Sequence, residues 1–263
     1  MADFSILINS CAAFSDMWEN IIFLYDKYWE NHLGLFILTD NKVDSVHYNN
    51  VISIKGEMSD RLLKALDHVS TKFVFLSFDD YYPKTKVNVS KIESLLKEME
   101  EKNIDYCRIY KKVKTKGKKE SVLKYKKLPL KDIYEVNFYP SIWKVESLKK
   151  VLKLNEEIWK AEARLTRRFR EAELNGIYVK DKGTFEFVDV VRKGKYLRSA
   201  YRFLLKNDLF ISSRKKRTIK ETVALNTRIF IADHAPKWIK NALKGIMHKR
   251  GKVYYSDYEN TDE

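Results

Sequence analysis

Phe73-Val-Phe-Leu-Ser-Phe-Asp-Asp-Tyr-Tyr-Pro83 is an apolar run that stops on two carboxylates. Consecutive apolar residues without polar alternation read as a strand buried on both faces, as in parallel sheets. Three similar runs precede it: Phe4-Ser-Ile-Leu-Ile-Asn-Ser10, Leu35-Phe-Ile-Leu38 ending in Thr39-Asp40, and Val51-Ile-Ser-Ile54. Helical spacing fills the gaps. Met17, Trp18, Ile21, Ile22, Tyr25, Tyr28 and Trp29 form one apolar face, with Asp16 and Glu19 at capping-box spacing before it. Leu62, Leu63 and Leu66 mark a second helix from Met58 to Val69. Val89, Ile92, Leu95, Leu96 and Met99 mark a third, followed by strand-like Tyr106-Cys-Arg-Ile-Tyr110. Strands alternating with helices predict an α/β half over residues 1–110, a mostly parallel central sheet flanked by helices. Ligands of open sheets bind beyond the carboxyl ends of the strands. That directs attention to Asn9–Cys11, Thr39–Asn41 and Asp79–Tyr82.

The chain has 263 residues, 44% of them apolar, which excludes disorder throughout. Two cysteines, Cys11 and Cys107, fit a reducing compartment rather than a disulfide scaffold. The N-terminus lacks a signal-peptide pattern, and no apolar run approaches the ~20 residues that span a bilayer. The expected location is cytoplasmic. Net charge is +15, from 51 Lys+Arg and 36 Asp+Glu. Residues 191–253 hold 18 Lys+Arg and 3 Asp+Glu, as large an excess as that of the whole chain. A second basic run, Arg108 to Lys131, has eleven basic residues against Glu120 alone and reads as a solvated loop or irregular hairpin. Two domains are expected: 1–190 with the chemistry, and a basic helical extension over 191–263.

Adjacent carboxylates at a strand end repel unless a cation or hydrogen-bond donors compensate. Asp79-Asp80 therefore reads either as an ordinary acidic turn or as a site for a divalent ion on a diphosphate, since Mg²⁺ takes one or two carboxylates plus phosphate oxygens. Glu162 falls within an apolar stripe of Ile158, Leu165 and Phe169, with Trp159 and Thr166 alongside and the remaining charges, Glu157, Lys160, Arg164, Arg168 and Glu171, on the opposite side. Such a carboxylate either pairs structurally or faces a cleft as a general base of raised pKa. Asp40 and Arg61 are weaker candidates for nucleoside or phosphate contacts. No GxGxxG, Walker loop, CxxC pair or HExxH helix occurs. From Pro236 to Lys249, Trp238, Ile239, Ala242, Leu243, Ile246 and Met247 oppose Lys237, Lys240, Lys244 and His248. That is the pattern of a helix lying in a membrane interface, or of one packed on the body with its lysines solvated.

On Phe4–Ser10 with the Trp18 helix, Leu76–Tyr82, Pro140-Ser-Ile-Trp143, Ile158-Trp-Lys-Ala-Glu162 and Val191-Arg-Lys-Gly194, the chain resembles small bacterial glycosyltransferases of GT-A-like fold. Its likeness is to those of capsule, O-antigen lipopolysaccharide and other surface polysaccharides, over roughly residues 4–205. The resemblance implies a nucleotide-sugar donor and a lipid-linked or growing polysaccharide acceptor. It implies donor contacts from Asn9, Ser10, Asp40, Arg61, Asp79 and Asp80, with a Mn²⁺ or Mg²⁺ on Asp80. Glu162, with Asp79, would be catalytic, and Tyr139, Trp143 and Trp159 would line the acceptor site. Ser77-Phe-Asp-Asp80 departs from the family's Asp-x-Asp, which leaves metal use and the stereochemical outcome open. Trp238, Lys240 and Lys244 would meet an anionic membrane surface at its inner face.

Two other classes compete. A nucleic-acid-binding protein could use the basic segments on phosphates, but no nucleic-acid motif accompanies them and this partner is disfavoured. A nucleotidyltransferase would share the sheet and the carboxylates, yet Ser10-Cys-Ala-Ala-Phe14 lacks the glycines of a phosphate loop.

Overall fold

A computed structural model describes residues 4–29, 32, 34–43, 48–109, 125–179, 185–249, 251 and 253–259, apart from the side chains of 232, 233, 237, 240 and 243. Most of the lysine-rich insertion, 110–124, lies outside them. The strands in chain order are β1 (Phe4–Asn9), β2 (Leu35–Thr39), β3 (Val51–Ser53), β4 (Phe73–Phe78), β5 (Tyr81–Pro83), β6 (Tyr106–Arg108), β7 (Tyr125–Lys127), β8 (Ser141–Lys144), β9 (Gly176–Val179), β10 (Phe187–Asp189), β11 (Val191–Arg192) and β12 (Lys195–Tyr196). The helices are α1 (Trp18–Tyr28), α2 (Met58–Asp67), α3 (Val89–Glu101), α4 (Val145–Val151), α5 (Ile158–Glu171), α6 (Arg198–Lys206), α7 (Ile219–His234) and α8 (Lys237–His248). The chain divides into two units, Met1–Val188 and Asp189–Glu263.

The first unit is built on an eight-stranded sheet of order β3-β2-β1-β4-β8-β6-β9-β7. The four apolar runs form its parallel half, β1 pairing in parallel with both β2 and β4. β8 is antiparallel between β4 and β6, and β9 returns parallel to β6. The sheet is thus mostly parallel and flanked by helices, as its sequence predicts.

Alternation along the strands sorts the core into two layers. Leu7, Leu38, Val74 and Leu76 join Leu62 and Leu66 of α2, Leu148 and Val151 of α4, and Leu165 and Phe169 of α5. On the other side Phe75 meets Trp29 edge-on at 5.4 Å and stacks with Phe185 at 5.4 Å. Trp143 is fully buried in β8, 4.4 Å from Tyr106 and 6.0 Å from Phe169, with its indole N–H on Ser141 at 3.1 Å. The expectation that it lines an acceptor site is corrected: it is a core residue with its one polar atom satisfied.

Two local expectations also change. Residues Ala12–Met17, Asp16 among them, make a 3₁₀ turn, and α1 starts at Trp18 with Met17 rather than Asp16 as its N-cap. Arg164 and Arg168 are buried, not solvated. Both clasp the buried carboxylate of Glu156, Arg164 at 2.6 Å and Arg168 through two nitrogens at 2.6 and 2.7 Å. The Glu156 backbone is fixed in turn by Ser59, which accepts from its N–H and donates to its carbonyl, both at 2.9 Å. Burial opposes ionisation of Glu156, but Arg168 and Arg164 outweigh it and hold the carboxyl below the ordinary glutamate value.

Removing Glu156 leaves two guanidinium groups buried without their carboxylate. Glu156→Ala should cost about 3–5 kcal/mol in urea unfolding. Because the folded pKa is lowered, the cluster's contribution is complete above the unfolded value of about 4.3 and is lost as pH falls through the folded value. The stability difference between wild type and variant should shrink on acidification.

Candidate functional site

The chain leaves β1 toward β2 and β3 on one side and returns through β4 on the other. Beyond the carboxyl ends of β1 and β4 this reversal opens the crevice where open α/β sheets place ligands. Ser10 follows β1 there and Asp79 follows β4. The Ser10 hydroxyl donates to Asp79 Oδ2 in a short hydrogen bond and accepts from the Trp18 indole N–H at 2.7 Å. The crevice is therefore tied shut at its floor, and Asp79 is only 8% exposed. Asp80 follows in the turn to β5 and is half-buried.

Asp40, at the end of β2, accepts from the Ala12 N–H at 2.7 Å and from the Thr39 hydroxyl at 3.3 Å. Partial burial works against its charge, but the Ala12 N–H, its own backbone N–H and Arg61 hold its carboxyl below the usual range. Arg61 donates to the Gly56 carbonyl at 2.9 Å, and its buried Nε has no hydrogen-bond partner. Asn9 pairs in register with Phe78 and Leu38, is buried, and leaves Oδ1 without a partner. A buried acceptor in that state costs about 1–3 kcal/mol. Burial, then Asp79 and Asp40, push the Cys11 thiol up, so it is no ready nucleophile.

Glu162 projects from α5, with Oε1 accepting the Phe138 N–H at 3.3 Å. Burial raises its pKa above the ordinary glutamate value, an effect the Phe138 N–H offsets in part. One turn on, Thr166 both accepts from the Val136 N–H at 3.0 Å and donates to its carbonyl at 3.2 Å. The Phe138 ring meets Phe78 edge-on at 6.3 Å, and Tyr139 lies 5.8 Å from Tyr81. Phe78 and Tyr81 bracket Asp79-Asp80. The loop 134–139 thus joins the end of β4 to α5 and brings Glu162 to the same end of the sheet as the two aspartates. Tyr139 and Trp159 are accessible there, Trp159 being 50% exposed in the first turn of α5.

Sequence reasoning missed Thr166 and Phe138 as the groups that hold this loop. Thr166 was detectable as the residue four after Glu162 on the same stripe; Phe138 carried no signal of its own. Among the described residues no three His, Cys, Asp or Glu side chains converge as a metal cage. The oxygen donors at Asp79-Asp80 fit a hard divalent ion that takes most of its ligands from phosphate and water.

In the second unit Trp238 is 71% exposed. Lys244 is half-buried rather than offered outward, because Asp257 pairs with it and Ser256 accepts from it at 3.0 Å. The Lys240 side chain lies outside the described residues. No helix among the described residues is long and apolar enough to cross a membrane.

The Ser10 tie can be tested by a cycle. Ser10→Ala strands the Trp18 N–H and one Asp79 oxygen and should cost about 1–3 kcal/mol in urea unfolding. Trp18→Phe added to it should cost less than the sum of the two single changes.

No protein-family model matches the chain, and no curated protein matches it. Among solved structures, S. aureus TarS is similar at a TM-score of 0.50 and 16% identity, over 73% of this chain and 37% of TarS. S. aureus TarS 1-349 in complex with UDP-GlcNAc aligns at 0.47 and 16%, over 74% and 60% of the two chains. Glucosyl-3-phosphoglycerate synthase from Mycobacterium tuberculosis, in complex with Mn²⁺ and UDP-glucose, aligns at 0.42 and 12%, over 69% and 72%. The chain spans less than two fifths of the length of TarS. At such identity the TarS likeness is one of fold, and the fold is GT-A-like.

Proposed function

We propose that the protein is a glycosyltransferase that moves a sugar from a nucleotide-sugar to a lipid-linked or growing surface-polysaccharide acceptor at the inner face of the membrane. The observation that carries this reading is the approach of two acidic sites at one end of β4. Asp79-Asp80 lies at the topological switch point, and Glu162 is held across the 134–139 loop by the Phe138 N–H.

In this reading the nucleoside lies over the ends of β1 and β2. Asn9 Oδ1 and Asp40 accept from its N–H and O–H groups, and Arg61 faces its phosphates. Asp79, fixed by Ser10, shapes the floor beneath the diphosphate. A divalent ion held by Asp80 and the diphosphate would neutralise charge on the leaving group. The acceptor enters past Tyr139 and Trp159, whose exposed rings suit a sugar face. Glu162 takes the proton of the acceptor hydroxyl as its oxygen bonds to the anomeric carbon, and the nucleoside diphosphate departs with the electron pair of the broken bond. The raised pKa of Glu162 makes it a stronger base than an exposed carboxylate.

Thermal melting with a panel of nucleoside diphosphates and nucleotide-sugars, with and without Mn²⁺, identifies the donor; no shift with any of them sinks the reading. With the donor in hand, Glu162→Gln should lower turnover by about 10²–10⁴-fold with an unchanged melting temperature. Asp80→Ala should weaken donor-induced stabilisation. Wild-type turnover should rise with pH through an ionisation above the ordinary glutamate value, and Glu162→Gln should lose that limb. A variant that keeps it removes Glu162 from the base role.

A further inference from the structure

The second unit has a small interior. Val190, Val191, Tyr196, Ala200, Leu204 and Leu209 are its buried apolar residues, all around the β11–β12 hairpin and α6. In α7 and α8 no described side chain is buried. Helices of 16 and 12 residues are marginal in water unless one face is covered. Yet each carries large apolar side chains facing outward.

On α7 those residues are Ile219, Val223 and Phe230, 66%, 58% and 63% exposed. At 100° per residue they fall within about 40° of one another, a single stripe along the helix. Leu225 and Ile229, on a different side, are partly buried, so the stripe is not the face that α7 turns toward its own unit. On α8, Trp238 and Ile246 are likewise exposed. The stripe on α7 was not apparent from the basic amphipathic pattern of α8 alone.

Charge selects the occupant. Residues 191–253 carry a balance of +15, and Lys215, Lys216, Lys220, Arg228 and Lys249 are exposed. A second copy of this chain would bring the same sign of charge to the contact. Asp257, which engages Lys244 and approaches His248 at 3.5 Å, already supplies an anion to the polar side of α8. Outward apolar side chains on a unit with so large a basic excess, one of them an exposed indole, match a surface that is anionic outside and apolar just beneath. We infer that the outward faces of α7 and α8 form an interfacial docking surface for an anionic lipid bilayer, with Ile219, Val223, Phe230, Trp238 and Ile246 as the inserting residues. This deepens the proposed function by naming the surface that would bring the enzyme to a lipid-linked acceptor.

The test is sedimentation of the full chain with vesicles of phosphatidylcholine alone or mixed with phosphatidylglycerol, beside a Phe230→Ser/Trp238→Ser variant. Wild type should bind the mixed vesicles, with quenching of its Trp fluorescence by brominated acyl chains. The double variant should bind at least about tenfold more weakly, since both side chains leave water on insertion. Both side chains are exposed, so the variant should keep the wild-type melting temperature. Equal binding by variant and wild type, equal binding to neutral vesicles, or no binding at all overturns the proposal. Self-association of wild type that the double variant abolishes, without vesicle binding, reassigns the face to a second copy. The same preparations are melted with the nucleotide panel. Vesicle failure with nucleotide stabilisation rejects the docking surface alone, and the converse result rejects the donor reading alone.

Discussion

A hydroxyl has one proton, and Ser10 gives its proton to Asp79 while receiving one from Trp18. That single group joins the end of β1, the end of β4 and the first residue of α1 at the point where the strand order reverses. Two negative charges in adjacent positions would otherwise splay the turn after β4. With Asp79 compensated inside the protein, Asp80 is left as the member of the pair nearer solvent. The missing Asp-x-Asp spacing thus has a structural counterpart: the first carboxylate of the pair is buried in the scaffold and the second is half-buried in the turn.

α5 meets a related demand with the opposite chemistry. Its buried arc is broader than the apolar stripe that holds Glu162, reaching on one flank to Thr166 and on the other to Arg164 and Arg168. The arginines are neutralised by Glu156, the carboxylate just before the helix; among the described residues Glu162 receives one backbone N–H and no cation. The same helix thereby holds one carboxylate below its ordinary pKa through its partners and another above it. Buried guanidinium groups resist displacement because moving them exposes unpaired charge to a low dielectric. They fix the rotation of α5, and with it the direction in which Glu162 points.

What could be read in the sequence follows from which forces are local. The parallel half of the sheet was legible because Phe4–Ile8, Leu35–Leu38 and Phe73–Leu76 declare double burial within a few residues. Glu162 was legible as a polar residue in an apolar stripe. Trp143 misled because a tryptophan after Pro-Ser-Ile looks like a loop aromatic, and only the insertion of β8 between β4 and β6 puts it in the core. Arg164 and Arg168 misled because the helical wheel knows nothing of Glu156, which lies outside the helix. The Ser10–Asp79 contact spans 69 residues, and no local pattern encodes it.

The two units are held by different physics, and the division of charge follows from it. The first closes around Trp, Phe and Leu side chains and carries a balance of only +4 in residues 1–190. The second has few buried residues and leans on directed polar contacts. Thr218 and Glu221 close a reciprocal cap on α7, Lys195 pairs with Glu221, and Lys244 with Asp257. Such exposed contacts are individually weak and are screened by salt. A unit built that way keeps its apolar side chains available, because no interior competes for them, and its like charges repel a second copy while attracting an opposite surface. The excess of lysine and arginine and the poverty of the local core are therefore two aspects of one arrangement. Among the described residues of this unit, the interior is too small to bury the outward side chains of α7 and α8.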